Sequence, residues 1–175
     1  MHDTAERPLL FLDIDGPLIP FGAPSPAGGY PVFPARPGLP ASGANPLLER
    51  LDPGHGPRLR DLPCELVWAT TWMDEANACV APRLGLPDLP VLARAEPSED
   101  DDARDARMGL HWKTRPILDR AAGRPFAWVD DEITDRDRVW VSACHGERAL
   151  LHRVDPRLGL TGADYRTLQD WLRSV

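Results

Sequence analysis

Apolar residues gather in four short runs, and the first three give way at once to polar groups. Leu9-Leu10-Phe11-Leu12 runs into Asp13-Ile14-Asp15-Gly16, and Cys64-Glu65-Leu66-Val67-Trp68-Ala69 into Thr70-Thr71. Pro125-Phe126-Ala127-Trp128-Val129 runs into Asp130-Asp131-Glu132, and Ala149 to Val154 forms the fourth. Runs this short, and nearly unbroken, read as strands covered on both faces rather than as amphipathic helices. The segments between them carry helical signals. Thr134 caps a predicted helix over 135–145, although Val139-Trp140-Val141 alternates like a strand. Thr161 and Asp164 form a capping box for a terminal helix burying Tyr165, Leu168, Trp171 and Leu172. A helix from Thr114 to Ala122 stops at Gly123, and another runs from Asp74 and Glu75 through Cys79 and Val80 to Leu84-Gly85. Strand–helix alternation of this kind predicts an α/β fold, a mostly parallel sheet with helices on both faces.

Two stretches break the rhythm. From Pro17 to about Pro46, prolines and glycines leave no room for a regular helix. Phe21, Tyr30 and Phe33 within it suggest a flap folded over the body, and the insertion as a whole extends to about residue 63. Asn45 can cap a short helix with Pro46 at its first position, and a further helical turn is expected around Pro57 to Arg60. Leu89-Pro90-Val91-Leu92 reads as a short edge strand. The acidic run Glu99-Asp100-Asp101-Asp102 reads as a solvated loop.

Length and charge narrow the function. The chain of 175 residues suits a single domain, spanning 1–175. A net charge of −7 lacks the basic footprint of a nucleic-acid or anionic-membrane binder. No segment reads as a membrane span or signal peptide, and Cys64, Cys79 and Cys144 lack metal-type spacing. A cytoplasmic enzyme with reduced thiols is the expectation. Among its twenty basic residues, Lys113 is the one lysine. In a chain that otherwise uses arginine, it suggests a position needing a compact charge.

The strand ends carry the chemistry. In an open α/β sheet, ligands bind outside the carboxyl ends of the strands, where Asp13, Thr70 and Asp130 emerge. Asp13 and Asp15 are two apart, and period-two geometry turns them the same way. Adjacent carboxylates repel, and a divalent cation relieves that repulsion. Gly16 lets the backbone turn sharply beside a ligand.

These features resemble the haloacid dehalogenase-like (HAD) superfamily of phosphohydrolases. Asp13-Ile14-Asp15-Gly16-Pro17-Leu18 matches its DxDGxL motif, and Leu66 to Thr70 its apolar strand ending in Ser or Thr. Lys113 matches its helix-borne lysine, and Phe126 to Asp131 its strand ending in paired acids. The resemblance covers roughly Pro8 to Asp135 and implies a Rossmannoid core with a flap or minimal cap. It also implies a Mg²⁺-dependent phosphomonoesterase in which Asp13 attacks phosphorus and forms an aspartyl-phosphate. Asp15 would act as general acid and base, its backbone carbonyl facing the metal. Asp130 would ligate Mg²⁺ directly, and Asp131 directly or through water. Thr70 would hold phosphoryl oxygens, and Lys113 would neutralise charge in the transition state.

Several alternatives stay open. A one-residue slip would put Thr71 in place of Thr70. Asp131 could cap the next helix, with Asp135 a spare outer-shell acid. Trp72 and Met73 could line a substrate pocket or simply pack in the core. His111, beside Lys113, reads as a surface or core group rather than a catalyst, and His55, His145 and His152 show no ligand spacing. The Pro/Gly-rich insertion is too poor in helix for the usual helical cap, and an open site suits a large phosphorylated substrate. Val67-Trp68-Ala69-Thr70-Thr71-Trp72 and Gly159-Leu160-Thr161 also resemble phosphatase modules associated with RNA repair, although the acidic charge argues against tight nucleic-acid binding. The rivals to a phosphohydrolase are a phosphotransferase, a nucleic-acid-end phosphatase and a non-catalytic binding module on the same scaffold.

Overall fold

The computed structural model describes residues 7–22, 29–34, 37–38, 45–93 and 99–175. The four apolar runs form strands β1 (Leu9–Leu12), β2 (Glu65–Trp68), β3 (Phe126–Asp130) and β4 (Ala149–Arg153). They make one parallel sheet in the order β2-β1-β3-β4. The chain leaves β1 toward β2 and later enters β3 on β1's other side. The order therefore reverses between β1 and β3, and the crevice for a ligand opens there.

Alternation along the strands sorts the core into two layers. Leu10, Leu12, Trp68, Ala127 and Val129 face one layer; Leu9, Phe11, Val67, Phe126 and Trp128 face the other. The first is covered by a 3₁₀ turn (Pro46–Arg50), α1 (His55–Arg60), a π-helical turn (Ala76–Val80) running into α2 (Ala81–Leu84), and α6 (Gly162–Ser174). The second is covered by α4 (Thr114–Ala121) and α5 (Asp135–His145), through Ile117, Ala121 and Val141. Both faces carry helices, as the alternation of elements implies.

The capping signals fold as read. Asn45 accepts the amide of Leu47 with Pro46 next in line, and Thr134 and Thr161 build complete capping boxes with Asp137 and Asp164. Tyr165, Leu168 and Leu172 of α6 are buried, and Trp171 packs partly buried beside them. The segment 135–145 is helix. Its strand-like stretch sits on one, with Val141 inward and Val139 exposed.

Three expectations need correction. The acidic run is not a loop: Glu99 to Asp102 open the helix α3 (Glu99–Met108). A run of charge is compatible with a helix, and Arg107 sits in the last turn of α3. Leu89 to Leu92 is not a full strand but a single parallel bridge between Val91 and Trp68. Pro90 has no N–H to extend it, although its carbonyl accepts from Trp68 N at 2.8 Å. Helix α4 stops one residue sooner than read: Ala122 is already its left-handed cap, and Gly123 follows with a positive φ of its own. Residues 23–28, 35–36 and 39–44 of the Pro/Gly-rich stretch lie outside the described residues.

Candidate active site

Strand register builds the site. Leu12 pairs with Val129, so Asp13 and Asp130 follow at the same level on adjacent strands; Asp13 N donates to Val129 O at 3.0 Å. Alternation continues the Leu9–Phe11 and Phe126–Trp128 series, which turns both carboxylates toward the layer covered by α4 and α5. Lys113, immediately before α4, enters from that layer. Its ammonium donates to Asp13 Oδ2 at 2.7 Å and to Asp130 Oδ2 at 2.6 Å. All three side chains are nearly closed to solvent, with Lys113 at 1% exposure. A lysine lost in a charged sequence thus lies between two carboxylates from separate strands.

The remaining donors are assigned. Asp13 Oδ1 accepts the amide of Ile14, and Asp130 receives Trp128 Nε1 on Oδ2 and the amide of Glu132 on Oδ1. Asp131 follows Asp130, and Gly16 lies against its side chain. A Cβ at position 16 would stand 2.5 Å from Asp131 Oδ1, and the backbone there has φ +86°. Only glycine meets both demands.

Carboxylate oxygens of Asp13, Asp130 and Asp131 lie within 4.8 Å of one another. Burial and crowding show in the protonation of Asp13 and Asp131. Burial, with Asp130 adding to it against the opposing pull of Lys113, lifts the Asp13 carboxyl to about 7. Burial and then Asp130 lift Asp131 to about 6. Burial alone would lower Lys113, but Asp13 and Asp130 outweigh it and hold the ammonium above its ordinary value. One cation facing three carboxylates leaves an excess of negative charge, and hard oxygen donors are those Mg²⁺ prefers. The donor set fits that ion.

Asp15 is oriented differently. Its Oδ2 accepts the indole N–H of Trp72 at 2.9 Å, and its carboxylate is outside the three-acid group. Thr70 is fully buried and its Oγ1 lies 3.4 Å from the amide of Trp72, whereas Thr71 is exposed. Met73 follows with φ 49°, a left-handed turn that costs a side-chain-bearing residue about 1–2 kcal/mol. Asp135 is exposed at the start of α5, and Asp131 does not cap that helix; Thr134 does.

Sequence reasoning missed Asp137. Fully buried, it accepts His111 N (2.8 Å) and Thr114 Oγ1 (2.6 Å) on Oδ1, and Thr134 N (2.8 Å) on Oδ2. One carboxylate therefore ties the segment carrying Lys113 to the cap of α5. Thr134 is legible as the cap, but Asp137 Oδ1 reaches 26 residues back, which no local pattern reports. His111 also contributes, its Nδ1 accepting the amide of Lys113 at 3.2 Å and its Nε2 meeting Glu132 at 3.2 Å.

A parallel sheet whose switch point holds an aspartate pair, a third acid and a lysine is the architecture of a HAD-like domain. The chain belongs to the family of HAD domains in Swiss Army Knife RNA repair proteins, whose model matches residues 9–165. The family lies within the superfamily of HAD hydrolases and phosphatases. No curated protein and no solved structure matches the chain. Among the described residues, no helix is long and apolar enough to cross a membrane.

Proposed function

We propose that this protein is a Mg²⁺-dependent phosphohydrolase of phosphate monoesters, working through an aspartyl-phosphate on Asp13. The observation that carries the reading is Lys113 held between Asp13 and Asp130 at the strand switch point. Asp13, Asp130 and Asp131 would hold Mg²⁺, which would supply the positive charge that lets an anionic ester approach a carboxylate.

An oxygen of Asp13 bonds to phosphorus as the ester oxygen leaves with the bonding pair, and Asp15 gives that oxygen a proton. Asp15, now a carboxylate, takes a proton from water as the water oxygen attacks phosphorus. The bond from phosphorus to Asp13 breaks, and inorganic phosphate leaves. Lys113 steadies Asp13 and meets negative charge on the phosphoryl oxygens, and Thr70 contributes a hydroxyl to them. Gly16 keeps the chain clear of Asp131.

The family is described by its occurrence in RNA repair proteins, and RNA ends are accordingly the first phosphoesters to try. Against this stands the net charge of −7, which favours contact at a terminus over a long electrostatic track. Three free thiols suit a reducing compartment, and the cytoplasm is the proposed location.

The test is hydrolysis of 4-nitrophenyl phosphate with Mg²⁺ and with the metal chelated. Metal-dependent turnover is expected, and Asp13→Asn is expected to lower it by about 10³-fold or more, since the amide is a poor nucleophile. Turnover by Asp13→Asn at the wild-type rate would remove the mechanism.

A further inference from the structure

We propose that Trp72 is a positioning residue that fixes which oxygen of Asp15 carries the transferable proton; this rests on the phosphohydrolase reading above. Indole N–H donates and never accepts. Its 2.9 Å bond to Asp15 Oδ2 therefore occupies that oxygen as an acceptor whether the carboxyl is protonated or not. The proton of the acid form is consigned to Oδ1. General acid catalysis needs the donor oxygen within about 2.6–3.2 Å of the leaving oxygen and aimed at it. A carboxyl rotating freely at the end of a loop would present either oxygen.

The surroundings of Trp72 are built to hold it. Its ring packs partly buried against the layer formed by α1, α2 and α6. The residue after it, Met73, takes the left-handed backbone turn, and the π-helical turn Ala76–Val80 follows at once. Backbone strain and π-helical turns both concentrate at functional sites. Asn77 then pins the segment: its Oδ1 accepts Trp68 Nε1 (2.9 Å) and Leu89 N (2.9 Å), and its Nδ2 donates to Leu89 O (2.8 Å). Trp72 thus reaches Asp15, 57 residues away, from an anchored platform. The indole exchanges no proton; Trp72 acts only through Asp15. When the ester bond breaks, the electron pair goes to the ester oxygen, the proton on Asp15 Oδ1 follows, and the indole bond persists to the carboxylate left behind.

Trp72→Phe removes the N–H and keeps an aromatic ring. The experiment compares kcat/KM for glycerol 2-phosphate, whose alkoxide needs a proton to leave, with that for 4-nitrophenyl phosphate, whose phenolate needs little. The loss on the glycerol ester is expected to exceed that on the nitrophenyl ester roughly tenfold or more, a fraction of what general acid catalysis contributes. Equal losses on both esters would mark Trp72 as merely structural and overturn the proposal. An independent readout is the ¹⁵N–¹H signal of the Trp72 indole, one of six in the chain and assigned by its absence in Trp72→Phe. It is expected to shift in Asp15→Ala while the other five hold, and a signal that stays in place overturns the proposal. A wild type that turns over neither ester fails in a different way: it overturns the phosphohydrolase reading, and this inference with it.

Discussion

Lys113 sets the charge balance of the site. Burying a carboxylate as deeply as Asp130 is unfavourable unless a cation answers it, and removing one partner of such a pair leaves the other uncompensated. Lys113→Met, similar in length and without charge, is expected to lower the unfolding free energy by about 3–5 kcal/mol in metal-free buffer. Urea denaturation measures it, and a loss within error of zero would mean the ammonium is not what keeps Asp130 inside. Mg²⁺ should recover part of the loss, since it neutralises the same carboxylates. Arginine would not substitute, because a planar fork cannot occupy the point where Nζ meets both oxygens. The scarcity of lysine in the chain marks this residue in the sequence itself.

Between elements, the joint that matters is Asp137. It lies in the first turn of α5, and through it α4 and α5 start from a shared anchor. Burial by itself would raise its carboxyl, but hydrogen bonds from Thr114, His111 and Thr134 outweigh burial and hold it below the ordinary value of 3.8. The sign follows by linkage. A carboxyl with a lower pKa folded than unfolded binds fewer protons in the native state. Its stabilisation is complete above the ordinary carboxylate range and is lost as pH falls through the lowered folded value. Asp137→Asn keeps the shape but brings an amide where only acceptors fit, and is expected to cost about 1–3 kcal/mol. Measured by urea denaturation, the gap to wild type should be constant above about pH 5 and shrink below about pH 4. A gap independent of pH would exclude the ionised clamp. The acidic run at 99–102 teaches the same lesson in reverse. As a string it resembles a solvated loop, yet those residues open a helix, and Asp105 further along it pairs with Arg115 Nε at 2.7 Å. Charge runs report solvation rather than backbone conformation.

At the scale of the molecule, the reversal of strand order between β1 and β3 brings chemistry from distant parts of the chain together. The acids of Asp13, Asp130 and Asp131 belong to the folded state only, so a cation bound by all three should stabilise folding by mass action. Mg²⁺ at a hundredfold excess over its Kd is expected to add about 2.7 kcal/mol. For a chain of this size that raises the Tm by roughly 5–10 °C. Asp131→Asn should reduce the rise, since it removes one ligand and leaves the Lys113 pairs in place. An identical rise in the variant would show that the ion binds elsewhere.

Local physics made much of this legible from the residues alone. Short apolar runs become strands because both faces of the sheet are covered, and polar residues such as Glu65 and Arg153 fall at the strand ends. Asp13, Thr70 and Asp130 then stand at the strand ends, where a ligand crevice opens although the three side chains are themselves buried. Caps at Asn45, Thr134 and Thr161 could be read because their partners lie two or three residues away. What tertiary structure alone decided are the meetings across sequence distance: Lys113 between two strands, Trp72 on Asp15, and Asp137 under His111 and Thr114. Those depend on strand order and register, which are set by how two faces of helices pack on a whole sheet. Packing of that kind is a sum over many weak contacts, and no window along the chain contains it.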